Sequence, residues 1–336
     1  MTSGSLYRAK FLGTGRYHPQ KVMTNDDLSK IVETSHDWIF PRTGIAERRI
    51  SDPHQAEFPS DMALYATQKA LKQAGLVADD IDMILFATVT PDVHLPNTAC
   101  ILQVKLGMTK NCACLDIAAA CSGFVYGVNM ATALIETGVM KNILVIGSEM
   151  LSTVNNWSDR NTCILFGDGC GVAILGRAQA DDKSEILAMT LGADGKGREF
   201  FDKEVGGAIR PITKEILESN QNYMRMQGKD MFKVAVKTLT ENVMTCLKEA
   251  NLTLNDLDWL VPHQANLRII EATGERLGID PKKVIVNIEK FGNTSAATVP
   301  TAFDQAIEEG KIKRGDLVCF TAFGAGLTFG ATLFRY

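Results

Sequence analysis

No stretch of the chain reaches the ~18 uninterrupted apolar residues that a membrane-crossing helix needs. The first eight residues, Met1 to Arg8, lack the apolar core of a secretory signal. These absences predict a cytoplasmic protein with no membrane partner. No C-x-x-C pair occurs among the eight cysteines, and Cys112 and Cys114 have no close His or Cys companion, so no metal site is expected. G-x-G-x-x-G, G-x-x-x-x-G-K-[ST] and G-x-S-x-G are all missing, which removes the dinucleotide fingerprint, the phosphate loop and the hydrolase elbow. Excess basic charge is missing too. Lys+Arg number 35 against 39 Asp+Glu, a formal net charge of −4, so nucleic acid finds no footing and an acidic partner must meet a local basic patch.

What is present is apolar and regular. Hydrophobic residues make up 46% of the 336 and charged residues 22%, enough for two domains or one large one with a sizeable core. Strand-like runs at 84–89, 142–147 and 317–322 alternate with helical spacing at 61–74 and 232–250, which predicts an α/β protein with buried sheets. Residues 80–86 resemble 256–262, an offset of 176, and residues 133–145 resemble 306–318, an offset of 173, or 172 with Gly138 set on Gly310. Either the chain is a duplicated βα unit, or two unrelated βα units look alike. The expected organisation is an N-terminal half over 1–178, a polar, glycine-bearing connecting flap over 179–230, and a C-terminal half over 231–336.

Five places carry potential chemistry. In Asp116-Ile-Ala-Ala-Ala-Cys121-Ser-Gly, small residues lead to a cysteine just before a helical pattern at 122–135. A helix N-terminus there is expected to lower the thiol pKa; a buried packing cysteine is the alternative. His263 ends an apolar run and precedes Gln264-Ala265-Asn266-Leu267-Arg268, at the strand end where α/β sheets place their sites. Asn293 opens Asn-Thr-Ser-Ala-Ala, either a site residue or a turn amide satisfying its own backbone. With the offset of 172, Asn293 falls on Cys121. Lys229, Lys233 and Lys237 share a helix face, with Arg225 before them, as a docking stripe or a solvated face. The glycine runs at 167–171 and 324–330 suit close backbone approach and an oxyanion hole.

Six motifs, in order, give the chain a resemblance to the β-ketoacyl-acyl carrier protein synthase III family over nearly its whole length. They are Trp38-Ile-Phe-Pro-Arg-Thr-Gly-Ile, Asp116-Ile-Ala-Ala-Ala-Cys-Ser-Gly-Phe, Asp159-Arg-Asn-Thr-Cys-Ile-Leu-Phe-Gly-Asp-Gly, Val261-Pro-His-Gln-Ala-Asn-Leu-Arg, Gly292-Asn-Thr-Ser-Ala-Ala and Phe323-Gly-Ala-Gly-Leu-Thr-Phe-Gly. The resemblance implies the thiolase fold, two βα halves in five layers (αβαβα), and a homodimer. It implies that Cys121 takes an acyl group from acyl-coenzyme A, with backbone N–H groups of Cys121 and Ala325 as the oxyanion hole. His263 and Asn293 then stabilise the enolate formed when malonyl-acyl carrier protein loses carbon dioxide, and the carbanion attacks the acyl-cysteine. No metal or redox cofactor is implied.

By the same resemblance Trp38 and Arg160 stack on adenine, and Thr34, Arg42, Gly228, Phe232 and Asn266 line the coenzyme A path. Gln264, Ala265, Asn266, Leu267 and Arg268, with Lys233, meet the carrier protein. Two departures from relatives stand out: Glu275-Arg276 where two basic residues are common, and Leu95 where a Phe often lines the neighbouring subunit's acyl pocket. The competing readings are a thiolase-fold ketosynthase-like acyltransferase of secondary metabolism, a 3-hydroxy-3-methylglutaryl-coenzyme A synthase, a cysteine thioester hydrolase and a non-catalytic acyl-coenzyme A binder.

Overall fold

The computed structural model describes residues 6–219 and 221–336, without the side chains at 228–230. Two sheets form the frame. The first has the order Ala9–Tyr17, Gly169–Arg177, Asn142–Glu149, Met83–Ala87, Ala113–Ile117. The second has the order Trp259–Pro262, Leu317–Gly324, Thr328–Arg335, Glu185–Ala193. The first has three mutually parallel strands and the second one parallel pair, each beside antiparallel strands. The strand Asn142–Glu149 is buried at every position, as a central strand covered on both faces requires.

Helices Gly123–Glu136 and Thr298–Glu308 pack against each other between the sheets. Pro59–Ala74 covers the outer face of the first sheet, and Gly228–Glu249 with Leu267–Leu277 the outer face of the second. This is the five-layer arrangement expected from the resemblance. In the second outer helix Ala235, Val236, Leu239, Val243, Cys246 and Leu247 are buried, one apolar stripe at helical spacing. The centre is aromatic: Phe11 lies 4.6 Å from Phe334, which lies 4.7 Å from Phe320, ring centre to ring centre. No helix among the described residues is long and apolar enough to cross a membrane.

The division of the chain differs from expectation. The strand Glu185–Ala193 is the edge of the second sheet, paired with Thr328–Arg335, so the C-terminal half recruits residues assigned to the flap. Residues Glu185–Ala193 read Glu-Ile-Leu-Ala-Met-Thr-Leu-Gly-Ala, a mostly apolar run of strand length within that segment, and Thr328–Arg335 supplies its ladder. The repeat register differs too. Short helical turns at Ala120–Ser122 and Ser295–Ala297 lead directly into the two central helices, an offset of 175, as for the strands Asn142–Glu149 and Leu317–Gly324. Cys121 therefore lies opposite Ala296, and Asn293 falls three residues earlier. The matched turns share a backbone feature: Ala120 and Ser295, one position before Cys121 and Ala296, are non-glycine residues at φ 46° and 51°. Such a left-handed residue costs on the order of 1–3 kcal/mol, and the surrounding packing holds both.

Each turn is gripped by the strand end of the other half. A Cβ at Gly147 would lie 2.3 Å from the Ala296 carbonyl oxygen, and one at Gly324 would lie 2.7 Å from the Cys121 nitrogen. Only glycine permits these approaches, which bring Cys121 and the Asn293 segment to one place.

Candidate active site

Cys121, His263 and Asn293 open together onto a cavity of about 500 Å³, which Gly324 and Ala325 also line. Cys121 follows the strand Ala113–Ile117, His263 follows Trp259–Pro262, and Asn293 follows the short helix Ile288–Phe291. Asn293 is clamped by backbone bonds to the first half: its N–H donates to the Leu165 carbonyl at 2.8 Å, and its carbonyl accepts from Gly167 N–H at 3.1 Å. Its side-chain oxygen accepts the Ser295 N–H at 2.8 Å. That bond both makes the local turn and fixes the amide, so the two readings of Asn293 hold at once: the oxygen caps the turn and the NH₂ remains as a donor.

His263 is buried, its N–H donating to the Thr321 carbonyl at 2.8 Å. Its Nδ1 lies 2.7 Å from the Thr298 hydroxyl, which is also 2.9 Å from the Ser295 carbonyl. The hydroxyl donates to that carbonyl, and the direction of its contact with Nδ1 follows the tautomer: with the ring proton on Nε2, Nδ1 accepts and Nε2 is the donor. Burial lowers the His263 pKa to about 3, so the ring is neutral at physiological pH. Thr298→Val keeps the shape and removes the hydroxyl. It should slow malonyl decarboxylation about tenfold, the worth of one hydrogen bond, and leave Cys121 acylation intact; carbon dioxide release and intact mass measure the two.

Cys121 is buried as well, and burial raises its thiol to about 12, with Glu149 adding and the Ser295 hydroxyl opposing. This corrects the expectation that the following helix lowers it: in the free protein desolvation of the thiolate outweighs the helix N-terminus. Beyond Cys121 a second cavity of about 850 Å³ opens, with Cys121 and Ala325 shared between the two. A group bonded to the sulfur can thus point either way.

The path outward agrees in part with expectation. Arg42, Phe232, Lys233, Ala265, Asn266 and Arg268 line the first cavity. Asn266 also caps the helix Leu267–Leu277, accepting the Arg268 N–H at 2.9 Å, and its NH₂ donates to the Arg42 carbonyl at 3.1 Å. Trp38 lies between two guanidiniums, Arg42 and Arg160, each 4.7 Å from its ring centre. A base that stacks between Trp38 and Arg160 must therefore push Arg160 outward. Thr34 is not among the lining residues, and the surroundings of Gly228 and Lys229 lie outside the described residues.

One carrier-contact expectation needs correction. Gln264 is fully buried, its NH₂ donating to the Pro262 and Ile285 carbonyls and its oxygen accepting the Asn287 N–H. It braces the His263 loop and presents nothing to a partner. Leu267 is half-buried against the cluster around Ile39 and Ile45. The lysine stripe is not uniformly free either, since Lys237 pairs with Glu241 at 3.8 Å. Arg268 is exposed and leans on the Pro41 carbonyl. The spacing of motifs gave no hint of Thr298, Ser295 or Glu149. A carboxylate two residues past the strand-like run 142–147 was the one visible signal.

Residues 115–195 match the family described as 3-Oxoacyl-[acyl-carrier-protein (ACP)] synthase III, and residues 247–336 its C-terminal part. The curated β-ketoacyl-[acyl-carrier-protein] synthase III of Caldanaerobacter subterraneus is 48% identical over 328 residues, 98% of each chain. The chain belongs to the β-ketoacyl-acyl carrier protein synthase III family. Its counterpart of the same name from Clostridioides difficile is 47% identical, covering 98% of each chain. The crystal structure of the Aquifex aeolicus 3-oxoacyl-[acyl-carrier-protein] synthase III superposes with a TM-score of 0.90 at 45% identity, over 98% of this chain and 100% of that one. The priming ketosynthase of the R1128 polyketide pathway has a similar TM-score, 0.89, over 98% of this chain and 96% of that one, at only 31% identity.

Proposed function

We propose that the protein is an acyltransferase that condenses a short acyl-coenzyme A with malonyl-acyl carrier protein, giving 3-oxoacyl-acyl carrier protein, coenzyme A and carbon dioxide, and so initiates fatty-acid synthesis. The observation that carries this reading is the single cavity onto which Cys121, His263 and Asn293 all open. The identity near 48% to synthases of fatty-acid initiation, against 31% to the polyketide enzyme, favours primary over secondary metabolism.

The residues suit two stages. Cysteine is a soft nucleophile and a good leaving group, as thioester exchange requires. The backbone N–H groups of Cys121 and Ala325 face the developing oxyanion. In the second stage His263 Nε2–H and the Asn293 NH₂ donate to the malonyl thioester oxygen, where charge collects as carbon dioxide leaves. The enolate carbon then attacks the acyl-cysteine. The acyl chain lies in the cavity beyond Cys121. In a homodimer the exposed Leu95 (88% accessible) and the unpaired outer edge of Ala113–Ile117 become covered. Intact mass after exposure to a panel of acyl-coenzyme A thioesters, followed by malonyl-acyl carrier protein, tests the reading. Acyl mass gained on Cys121 and then lost to product supports it, and acyl mass released to water instead marks a hydrolase.

Coenzyme A and the carrier protein approach through the first cavity, beside the exposed Arg268 and Lys233. Arg268→Glu should raise the KM for malonyl-acyl carrier protein, because like charges facing across an interface cost several kcal/mol. The KM for acyl-coenzyme A should change far less. The defect should shrink with salt, as the Debye length falls from ~10 Å at ~0.1 M to ~3 Å at ~1 M. An unchanged carrier-protein KM returns Arg268 to a purely structural contact with Pro41.

A further inference from the structure

The two N–H groups assigned to the acyl oxyanion come from different halves of the fold. Cys121 lies on the turn Ala120–Ser122, and Ala325 on the loop between the strands Leu317–Gly324 and Thr328–Arg335. Their separation has to be fixed, because a misplacement of about 1 Å can cost on the order of 10²-fold in rate. The loop is held at its far end: Leu327 donates its N–H to the Asp194 carbonyl and accepts the Asp194 N–H, both at 2.8 Å. Its near end meets the Cys121 turn at one side chain. The Thr328 hydroxyl reaches the Ala325 carbonyl at 3.2 Å and the Ala119 carbonyl at 2.9 Å. Ala119 precedes the left-handed Ala120, which leads into Cys121. The Ser122 hydroxyl, just past Cys121, lies 2.8 Å from both the Ala119 carbonyl and the Thr328 oxygen. These two hydroxyls and two carbonyls join the halves beside the nucleophile, where Gly324 already approaches the Cys121 nitrogen as closely as a glycine can.

We propose that Thr328 is a positioning residue of acyl transfer, its hydroxyl tying the Cys121 turn to the Ala325 loop so that both N–H groups point at one oxygen. This deepens the proposed function and rests on Cys121 being its nucleophile. In that step the bond from the Cys121 sulfur to the acyl carbon forms, and the carbonyl π pair moves onto its oxygen, between the two N–H groups. When the tetrahedral adduct collapses, the acyl carbon's bond to the coenzyme A sulfur breaks and its electron pair leaves with that sulfur. The proton of the Cys121 thiol ends on coenzyme A, so one thioester and one thiol are exchanged for another pair. Thr328 gives up no proton in this exchange and is not among the residues lining either cavity. The charge it helps to hold exists only as the adduct forms, so its loss slows the step without weakening the binding of acyl-coenzyme A. The malonyl stage stands apart from it, since His263 rests on Thr298 and Asn293 on Leu165 and Gly167.

The test is single-turnover acetyl transfer from acetyl-coenzyme A to Cys121, read by rapid quench and intact mass over a range of acetyl-coenzyme A concentrations. Thr328→Val keeps the shape and removes the hydroxyl. Its limiting rate should fall on the order of tenfold, the worth of one hydrogen bond, with the half-saturating concentration unchanged. Thr328→Ser keeps a hydroxyl and should recover most of that loss. Carbon dioxide release from malonyl-acyl carrier protein, measured with each change placed on Cys121→Ala, should stay at the rate of Cys121→Ala itself. In acetyl-enzyme made with an isotope-labelled acetyl group, the infrared carbonyl stretch should move to higher frequency in Thr328→Val and back in Thr328→Ser, as donors to that oxygen are lost and regained. Should Thr328→Val not fold, Thr328→Ala takes its place. An undiminished limiting rate, or a loss that Thr328→Ser does not recover, overturns the proposal. So does an equal loss of carbon dioxide release, since that marks a merely structural contact. Acetyl mass on a residue other than Cys121 in wild type overturns the nucleophile assignment, and this proposal with it.

Discussion

Cys121→Ala should carry no acyl mass after incubation with acyl-coenzyme A, and condensation should fall by at least about 10⁴-fold, the scale of losing a covalent nucleophile. Nothing else on the shared cavity wall is a thiol, and the other fully buried cysteines, Cys163, Cys170, Cys246 and Cys319, lie in the packed core. The same variant should still release carbon dioxide from malonyl-acyl carrier protein, because His263 and Asn293 are untouched by the change. Two assays on one protein thus separate the stages: intact mass for acylation and carbon dioxide release for decarboxylation. Acyl mass that persists on Cys121→Ala places the nucleophile elsewhere.

His263→Ala and Asn293→Ala should each lose condensation and decarboxylation by on the order of 10²-fold, equivalent to about 3 kcal/mol for one donor aimed at a developing oxyanion. Acylation of Cys121 in a single turnover should largely survive, since neither side chain serves the acyl oxyanion hole. The pH dependence follows from His263. Its folded pKa is lowered to about 3, so the neutral donor form is complete well above that value, and falling pH removes it only near 3. Decarboxylation measured on Cys121→Ala should therefore be flat from about pH 8 down to about pH 5. An inflection near 6.5 would show a solvated imidazole and contradict its burial. If acylation fell as far as condensation in both alanine variants, the division of labour would fail.

The sequence by itself determined the layers. Apolar runs of strand length alternating with helical spacing require covered sheets, and similar segments at offsets of 172 to 176 suggested a repeat. Cys121 and His263 were legible because each lies where an apolar run meets small or polar residues, the chemistry of a strand end opening into a turn, and Asn293 because it opens a run of small residues inside a family motif. Tertiary structure decided what those positions do. The true repeat register of 175 depends on which turns lead into the central helices, and a three-residue slip in a loop leaves no trace in hydrophobic pattern. Gln264 reads as a surface contact in the chain and is a buried brace in the fold, because the Pro262 and Ile285 carbonyls that hold it meet only across the sheet edge. The raised Cys121 thiol and the lowered His263 arise from burial. Desolvation depends on everything packed around a group, so neighbours along the chain do not reveal it.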